Sequence, residues 1–207
     1  MKMIARQLSS RSLQAALLAS LITLSFAASV SARQEHDNKF SNIKIKNFGQ
    51  MDDRFYRGGQ PTATDIKDLA ALGIHTIIDL RDDPKDYERR EAEALGMSYV
   101  NIPMSDSKYP NQENIDTFLK LANDPATGKF FVHCAGGRHR TGVMGAVYRY
   151  NLYGWNYDQV YKEMKDYDFY TRFGHGAMKD YVQDYWQQVQ AGTIHTSAGA
   201  HITTSNH

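Results

Sequence analysis

His133-Cys-Ala-Gly-Gly-Arg-His-Arg-Thr-Gly142 joins a stretch that reads as a buried strand, Lys129–His133, to one that reads as a helix, Thr141–Tyr153, closed by Gly154. A strand that enters a short glycine-bearing loop and leaves it as a helix turns backbone N–H groups, and the positive end of the helix dipole, into one concavity. Gly136 and Gly137 give the backbone the φ range such a nest needs and let an anion approach closely. Cys134 opens the loop and Arg140 closes it. A thiol in that position ionises easily, because amides, helix terminus and guanidinium groups all favour the thiolate. Arg140 offers a planar fork that matches two oxygens of a phosphate, and Thr141 can hydrogen-bond the sulfur. Cys134, Arg140 and Thr141 are thus candidate catalytic residues, and Ala135, Gly136, Gly137, Arg138 and His139 candidate substrate-binding residues. An isolated cysteine after a strand is ordinarily a packed small hydrophobe. Three glycines and two arginines beside this one argue for chemistry instead. Charge agrees: no Asp or Glu occurs between Asp124 and Asp158, where Lys129, Arg138, Arg140 and Arg149 fall.

Outward from this segment, strands and helices alternate. Ile43–Phe48 alternates apolar and polar residues and predicts a short strand. Thr62 with Asp65 forms a capping box for a helix that runs to Leu72 and stops at Gly73. His75–Leu80 is a β-branched strand, and Asp83-Pro84 predicts a cap for a helix reaching Leu95 before Gly96. Met97–Ile102 predicts a strand, Pro103–Pro110 a loop, and Gln112–Ala122 a helix capped by Asn111. Two helices are expected near Tyr157–Lys165 and His175–Gln190. The pattern predicts a single α/β domain over residues 43–190, with a mainly parallel central sheet flanked by helices on both faces. Residues 33–42 read as a flexible lead-in and 191–207 as a disordered tail, whose His195, His201 and His207 lack acidic or cysteine partners for a metal.

The chain has 207 residues and a formal charge of +1, but Lys2, Arg6 and Arg11 stand in a first segment without acids. Without those three cations, 21 basic side chains face 23 acidic ones, which argues against a nucleic-acid partner. One cysteine excludes an intramolecular disulfide framework and a four-cysteine zinc site. The basic start, the apolar run Leu13–Val30 and the small triplet Val30-Ser31-Ala32 predict a signal peptide over 1–32, hence an exported, periplasmic or secreted protein. A retained N-terminal anchor is the alternative; once the signal is cleaved, no stable membrane insertion is expected.

The segment 133–142 resembles the H-C-x5-R-[S/T] motif of the cysteine-dependent phosphatases, the protein tyrosine and dual-specificity phosphatases. Tyr56-Arg57-Gly58-Gly59-Gln60-Pro61 resembles the Y-R-x-x-Q-P segment of their bacterial and plant-fungal dual-specificity-like branch, and Asp79-Leu80-Arg81 a strand end they share. The resemblance implies the protein tyrosine phosphatase-like fold and metal-independent hydrolysis of phosphomonoesters through a phosphocysteine, with no cofactor. It also implies a general acid on a mobile loop after a central strand, for which Asp106 is the match; Asp82, Asp83 and Asp116 are alternatives. His133 is expected to bond the loop backbone rather than act as a base, and Arg57, Gln60 and Arg81 to pin the loop. The implied partner is a phosphorylated substrate: a phosphotyrosine protein, or a multiply phosphorylated small molecule such as an inositol polyphosphate or phosphoinositide, which Arg138 favours. Other classes remain open: a catalytically weak phosphate-binding module, a redox-sensing thiol, a sulfurtransferase, or an arsenate reductase, the last lacking the further cysteines it would need.

Overall fold

Five strands line up in the order β1-β2-β5-β3-β4: β1 (Gly49–Gln50), β2 (Phe55–Gly58), β3 (Thr76–Arg81), β4 (Ser98–Met104) and β5 (Phe130–His133). The computed structural model describes residues 40–194. The segments read as a signal peptide (1–32) and as metal-poor tail histidines (195, 201, 207) lie outside the described residues. The chain divides after Asn42, and the unit that begins at Ile43 carries the whole sheet. β5 sits at its centre, parallel to β2 on one side and β3 on the other, with His133 opposite both Gly58 and Asp79. β4 runs parallel to β3, and only the short β1 is antiparallel. Parallel neighbours need crossover helices. Three helices lie in these connections, α1 (Ala63–Ala71), α2 (Asp86–Ala94) and α3 (Gln112–Asn123), while α4 (His139–Tyr148), α5 (Tyr157–Asp166) and α6 (Gly176–Gln190) follow the last strand.

Side-chain alternation divides the sheet between two cores. Ile78, Leu80, Ile102, Met104, Phe130 and Val132 join Phe118, Val143, Val147, Val160 and Val182 of the later helices in one buried cluster. Ile77, Phe131 and Tyr56, one residue out of phase, are buried with Ile66, Leu69 and Ala92 of α1 and α2. Helices therefore cover both faces, as expected of a parallel sheet.

Local chemistry explains the helix starts. The Thr62 hydroxyl accepts from the Asp65 amide while the Asp65 carboxylate accepts from the Thr62 amide. The Asn111 side chain accepts from the Asn114 amide at 2.8 Å, and Asn156 with Gln159 repeats the reciprocal box at α5.

Three expectations need correction. Ile43–Phe48 is not a strand but a loop with a turn at Lys46–Asn47, where Asn47 takes φ +52°; the edge pairing falls to Gly49–Gln50 instead. β2, not foreseen as a strand, lies entirely buried. Asp83 does not cap α2, whose N-cap is Lys85 without a side-chain bond. The Asp83 carboxylate is drawn to Arg81 at 2.5 Å, which removes it from the helix terminus.

Candidate active site

β5 delivers Cys134 to the point where all three central parallel strands end, and α4 begins five residues later. That is the crevice outside the carboxyl ends of a parallel sheet, where ligands of such folds bind. A cavity of about 350 Å³ opens there, lined by Lys46, Asp106, Cys134, Ala135, Gly136, Arg138, His139, Arg140, Tyr170 and His175.

The loop is seated on the end of β2 by close backbone approach. Gly137 has φ +67°, and a Cβ there would fall 2.5 Å from the carbonyl carbon of Gly58 and 2.6 Å from the amide of Gly59. Only a glycine meets both conditions, the left-handed φ and the space. The Gly137 carbonyl accepts from Arg57 Nη2 at 2.7 Å, the Ala135 carbonyl from the Gln60 amide at 3.2 Å, and the Gly136 carbonyl from Asn47 Nδ2 at 2.8 Å. With its carbonyls turned outward to these donors, the loop leaves its amides for the concave side.

Cys134 is 4% exposed. Burial pushes its thiol up, but the Thr141 hydroxyl and amide, the Arg140 charge and the Arg138 amide outweigh it, and the thiol titrates below its ordinary value. The Thr141 hydroxyl is itself fully buried with no oxygen or nitrogen partner among the described residues, so the sulfur is what remains for it. Arg140 is held by Nη1, which donates to the Met104 carbonyl at 3.0 Å and meets Asp82 at 3.0 Å.

Behind the cysteine lies a buried polar layer. His133 Nε2 makes a charge contact with Glu88 Oε1 at 2.5 Å, and Asp79 is 3.7 Å away. Burial alone would strip the imidazole of its proton; the two carboxylates reverse this and raise its pKa. Burial raises Asp79 as well, against the Tyr99 hydroxyl that donates to it at 2.7 Å. Glu88 also accepts from Gln60, which in turn accepts from Arg81. Arg57, Gln60 and Arg81 thus all reach the loop or its support. Asp79, Glu88 and His133 are close enough to share a cation, but Tyr99 and the Arg81 amide hold the two Asp79 oxygens, Gln60 holds Glu88 Oε2, and Glu88 Oε1 faces His133.

Of the residues singled out from sequence, the cavity wall unites Cys134, Ala135, Gly136, Arg138, His139, Arg140 and Asp106. Thr141 lies beneath the sulfur, and Gly137 lies behind the loop against β2 rather than on the wall. Among the four carboxylates considered, Asp106 alone lines the cavity. Asp82 pairs with Arg140, Asp83 with Arg81, and Asp116 accepts from Gln112 on α3. Lys46, Tyr170, His175 and Glu88 were missed. Lys46 sat in the stretch read as a strand, and the others reach the site from distant segments that carry no local motif.

The family model described as "DSP-PTPase phosphatase fused to NAD+ Kinase" matches residues 28–183. The chain is 29% identical to a probable tyrosine-protein phosphatase of Dictyostelium discoideum over 143 residues, which are 67% of this chain and 82% of that protein. It is 27% identical to an inositol diphosphatase of Oryza sativa subsp. japonica over 67% of this chain and 60% of that one. The crystal structure of TpbA from P. aeruginosa superposes with a TM-score of 0.59 at 22% identity, covering 71% of this chain and 91% of that chain. A thiol held below its ordinary pKa on a glycine-seated loop, and a family match over most of the chain, place the protein among the dual-specificity-type tyrosine phosphatases of the cysteine-dependent phosphatase superfamily.

Proposed function

We propose that Cys134 is the nucleophile of a phosphomonoester hydrolase. The observation that carries this reading is the sulfur on the cavity floor, with a buried hydroxyl and two amides directed at it. The thiolate attacks phosphorus in line, forming the P–S bond as the P–O bond to the leaving group breaks. Asp106 gives its proton to the departing oxygen. The loop amides and Arg140 hold the equatorial oxygens, whose charge they stabilise in the transition state. The Asp106 carboxylate then takes a proton from the water that attacks phosphocysteine. The P–S bond breaks, inorganic phosphate leaves, and Thr141 stabilises the restored thiolate. Nest and guanidinium supply the positive charge that this chemistry needs.

The substrate is a phosphotyrosine protein or a multiply phosphorylated small molecule. Two features favour the second. Lys46 and Arg138 add cations to the cavity wall beyond Arg140, although Asp168 at 3.4 Å offsets part of the Arg138 charge. The rice relative is named an inositol diphosphatase. Residues 1–32 serve as an export signal, so the enzyme acts outside the cytoplasm; among the described residues no helix is long and apolar enough to cross a membrane.

Phosphate release from p-nitrophenyl phosphate without added metal, compared with the Cys134→Ser variant, tests the nucleophile. Turnover that survives the substitution removes cysteine catalysis. Release from a phosphotyrosine peptide and from an inositol polyphosphate, measured side by side, decides the substrate class. N-terminal sequencing of the mature protein after cell fractionation tests export.

A further inference from the structure

His175 stands at the N-cap of α6, yet its ring caps nothing. An N-cap side chain ordinarily accepts from the first amides of its helix. This imidazole leaves the helix and bonds the backbone carbonyl of Asp106 through Nδ1 at 2.8 Å. A carbonyl can only accept, so Nδ1 carries the proton. The other side of the ring lies flat on His139, with centroids 3.6 Å apart and planes 12° from parallel. His139 is fixed in its turn: its Nε2 donates to the Tyr170 carbonyl at 3.0 Å, and its edge meets the Tyr170 ring at 4.5 Å. The segment that makes these contacts is tightly wound, with positive φ at Asp168, Phe173 and Gly174. A continuous chain therefore runs from the phosphate loop through His139 and His175 to the loop that carries Asp106.

The geometry points to His175 as a positioning residue for Asp106: its hydrogen bond, braced by the stack on His139, sets the distance between the general acid and the cysteine loop. This rests on the role of Asp106 proposed above. The Asp106 side chain is exposed on a loop between β4 and α3. A loop of that kind needs an external hold if a proton is to be delivered within hydrogen-bond reach of a leaving oxygen. The flat stack on His139 suits a neutral ring there. Burial, His175 and the neighbouring Arg138 and Arg140 hold His139 down at about 4.

A positioning role for the acid makes a distinctive prediction, because the proton matters only when the leaving group is poor. His175→Ala lowers kcat for phenyl phosphate about tenfold while kcat for p-nitrophenyl phosphate stays within about threefold. In an Asp106→Asn background the same substitution adds nothing. His175→Asn, whose amide can still donate to the carbonyl, recovers part of the loss and serves as the folding control. Equal losses on both substrates, or an additive loss in the Asp106→Asn background, overturn the inference while leaving the acid assignment intact. An Asp106→Asn variant that itself ignores leaving-group quality overturns the acid assignment and this inference together. The cysteine assignment, read from Cys134→Ser on p-nitrophenyl phosphate, is independent of both.

Discussion

Replacing Gly137 by alanine perturbs the site without touching any group that meets substrate. The new methyl would sit 2.5 Å from the Gly58 carbonyl carbon, 2.6 Å from the Gly59 nitrogen and 2.7 Å from the Gly58 oxygen, all backbone atoms. Ordinary contact begins near 3.4 Å, so loop and strand end must separate by about 0.9 Å. The strand end cannot yield cheaply, because β2 is buried and paired on both edges. The phosphate loop must therefore move. A left-handed φ at a residue with a side chain costs about 1–2 kcal/mol, and overpacking adds a further 1–3 kcal/mol or so. Stability should fall by about 2–5 kcal/mol, which for a domain of this size lowers Tm by roughly 4–20 °C. Displacing nucleophile and donors by nearly 1 Å should reduce kcat about 100-fold. Gly136→Ala is the control for stability: its Cβ would meet nothing closer than the Arg138 side chain at 3.8 Å, so Tm should change little. Thermal unfolding and steady-state hydrolysis of p-nitrophenyl phosphate read both effects. If Gly137→Ala keeps kcat within about threefold and an unchanged Tm, the seating of this loop on Gly58 and Gly59 is not what places the nucleophile.

Three further outcomes follow from the electrostatics. Thr141→Val removes a hydroxyl directed at a buried sulfur and should raise the thiol pKa, read as an alkaline shift in the pH dependence of Cys134 alkylation by iodoacetamide. Glu88→Gln breaks the buried pair with His133 and should cost about 3–5 kcal/mol in urea unfolding. Because the pair raises the His133 pKa, its stabilisation is complete below the unfolded histidine value of about 6.5 and is lost as pH rises through the folded one; the gap between wild type and variant should narrow on the alkaline side. His139 has the opposite sign. Held at about 4, it stays neutral while the unfolded chain takes up a proton below about 6.5. Stability should fall as pH drops from 7 towards 4, by about 1–2 kcal/mol after allowance for partial solvation, and His139→Asn should flatten that slope in pH-dependent unfolding.

What could be read from the chain was what local chemistry decides. Thr62 with Asp65, Asn111, Gly73 and Gly96 mark helix ends because a cap needs only its own neighbours, and each stands where expected. The strand–loop–helix around Cys134 was legible for the same reason, as was the parallel sheet that strand–helix alternation implies. Failures came where a distant partner decides. Alternation over Ile43–Phe48 looks like a strand, but Asn47 donates to the Gly136 carbonyl of the phosphate loop and the Lys46 carbonyl accepts from the Gly59 amide just past β2. Phe55–Gly58 is too short, with a charged Arg57 inside it, to carry a periodic signal of its own, yet it is buried throughout and Arg57 is 1% exposed. Asp83 looks like a cap until Arg81 is in place beside it. Tyr170 and His175 follow the cysteine by more than thirty residues with no motif of their own, so only the fold brings them to the cavity.

Arg57 shows why these failures cluster. A guanidinium taken out of water costs several kcal/mol unless acceptors and opposite charge replace the solvent. Here burial does lower its pKa, Nε has no partner among the described residues, and its support consists of the Gly137 carbonyl, the Tyr167 ring at 4.0 Å and the negative charge of Cys134 and Glu163. The fold alone gives no reason to keep such a residue in a fully buried strand. The phosphate loop does: one cation fixes the carbonyl of the left-handed glycine and adds to the field that favours an ionised sulfur. The same logic applies to Glu88, 0% exposed and close to a second buried carboxylate. It is tolerable because His133 Nε2 stands 2.5 Å from it, and the two carboxylates in turn hold the imidazole above its ordinary pKa behind the cysteine. The buried Arg57, the buried acid pair of Asp79 and Glu88, and the backbone contact at Gly137 all lie within the walls or the support of one cavity, where each departure from ordinary patterning serves the loop that carries Cys134.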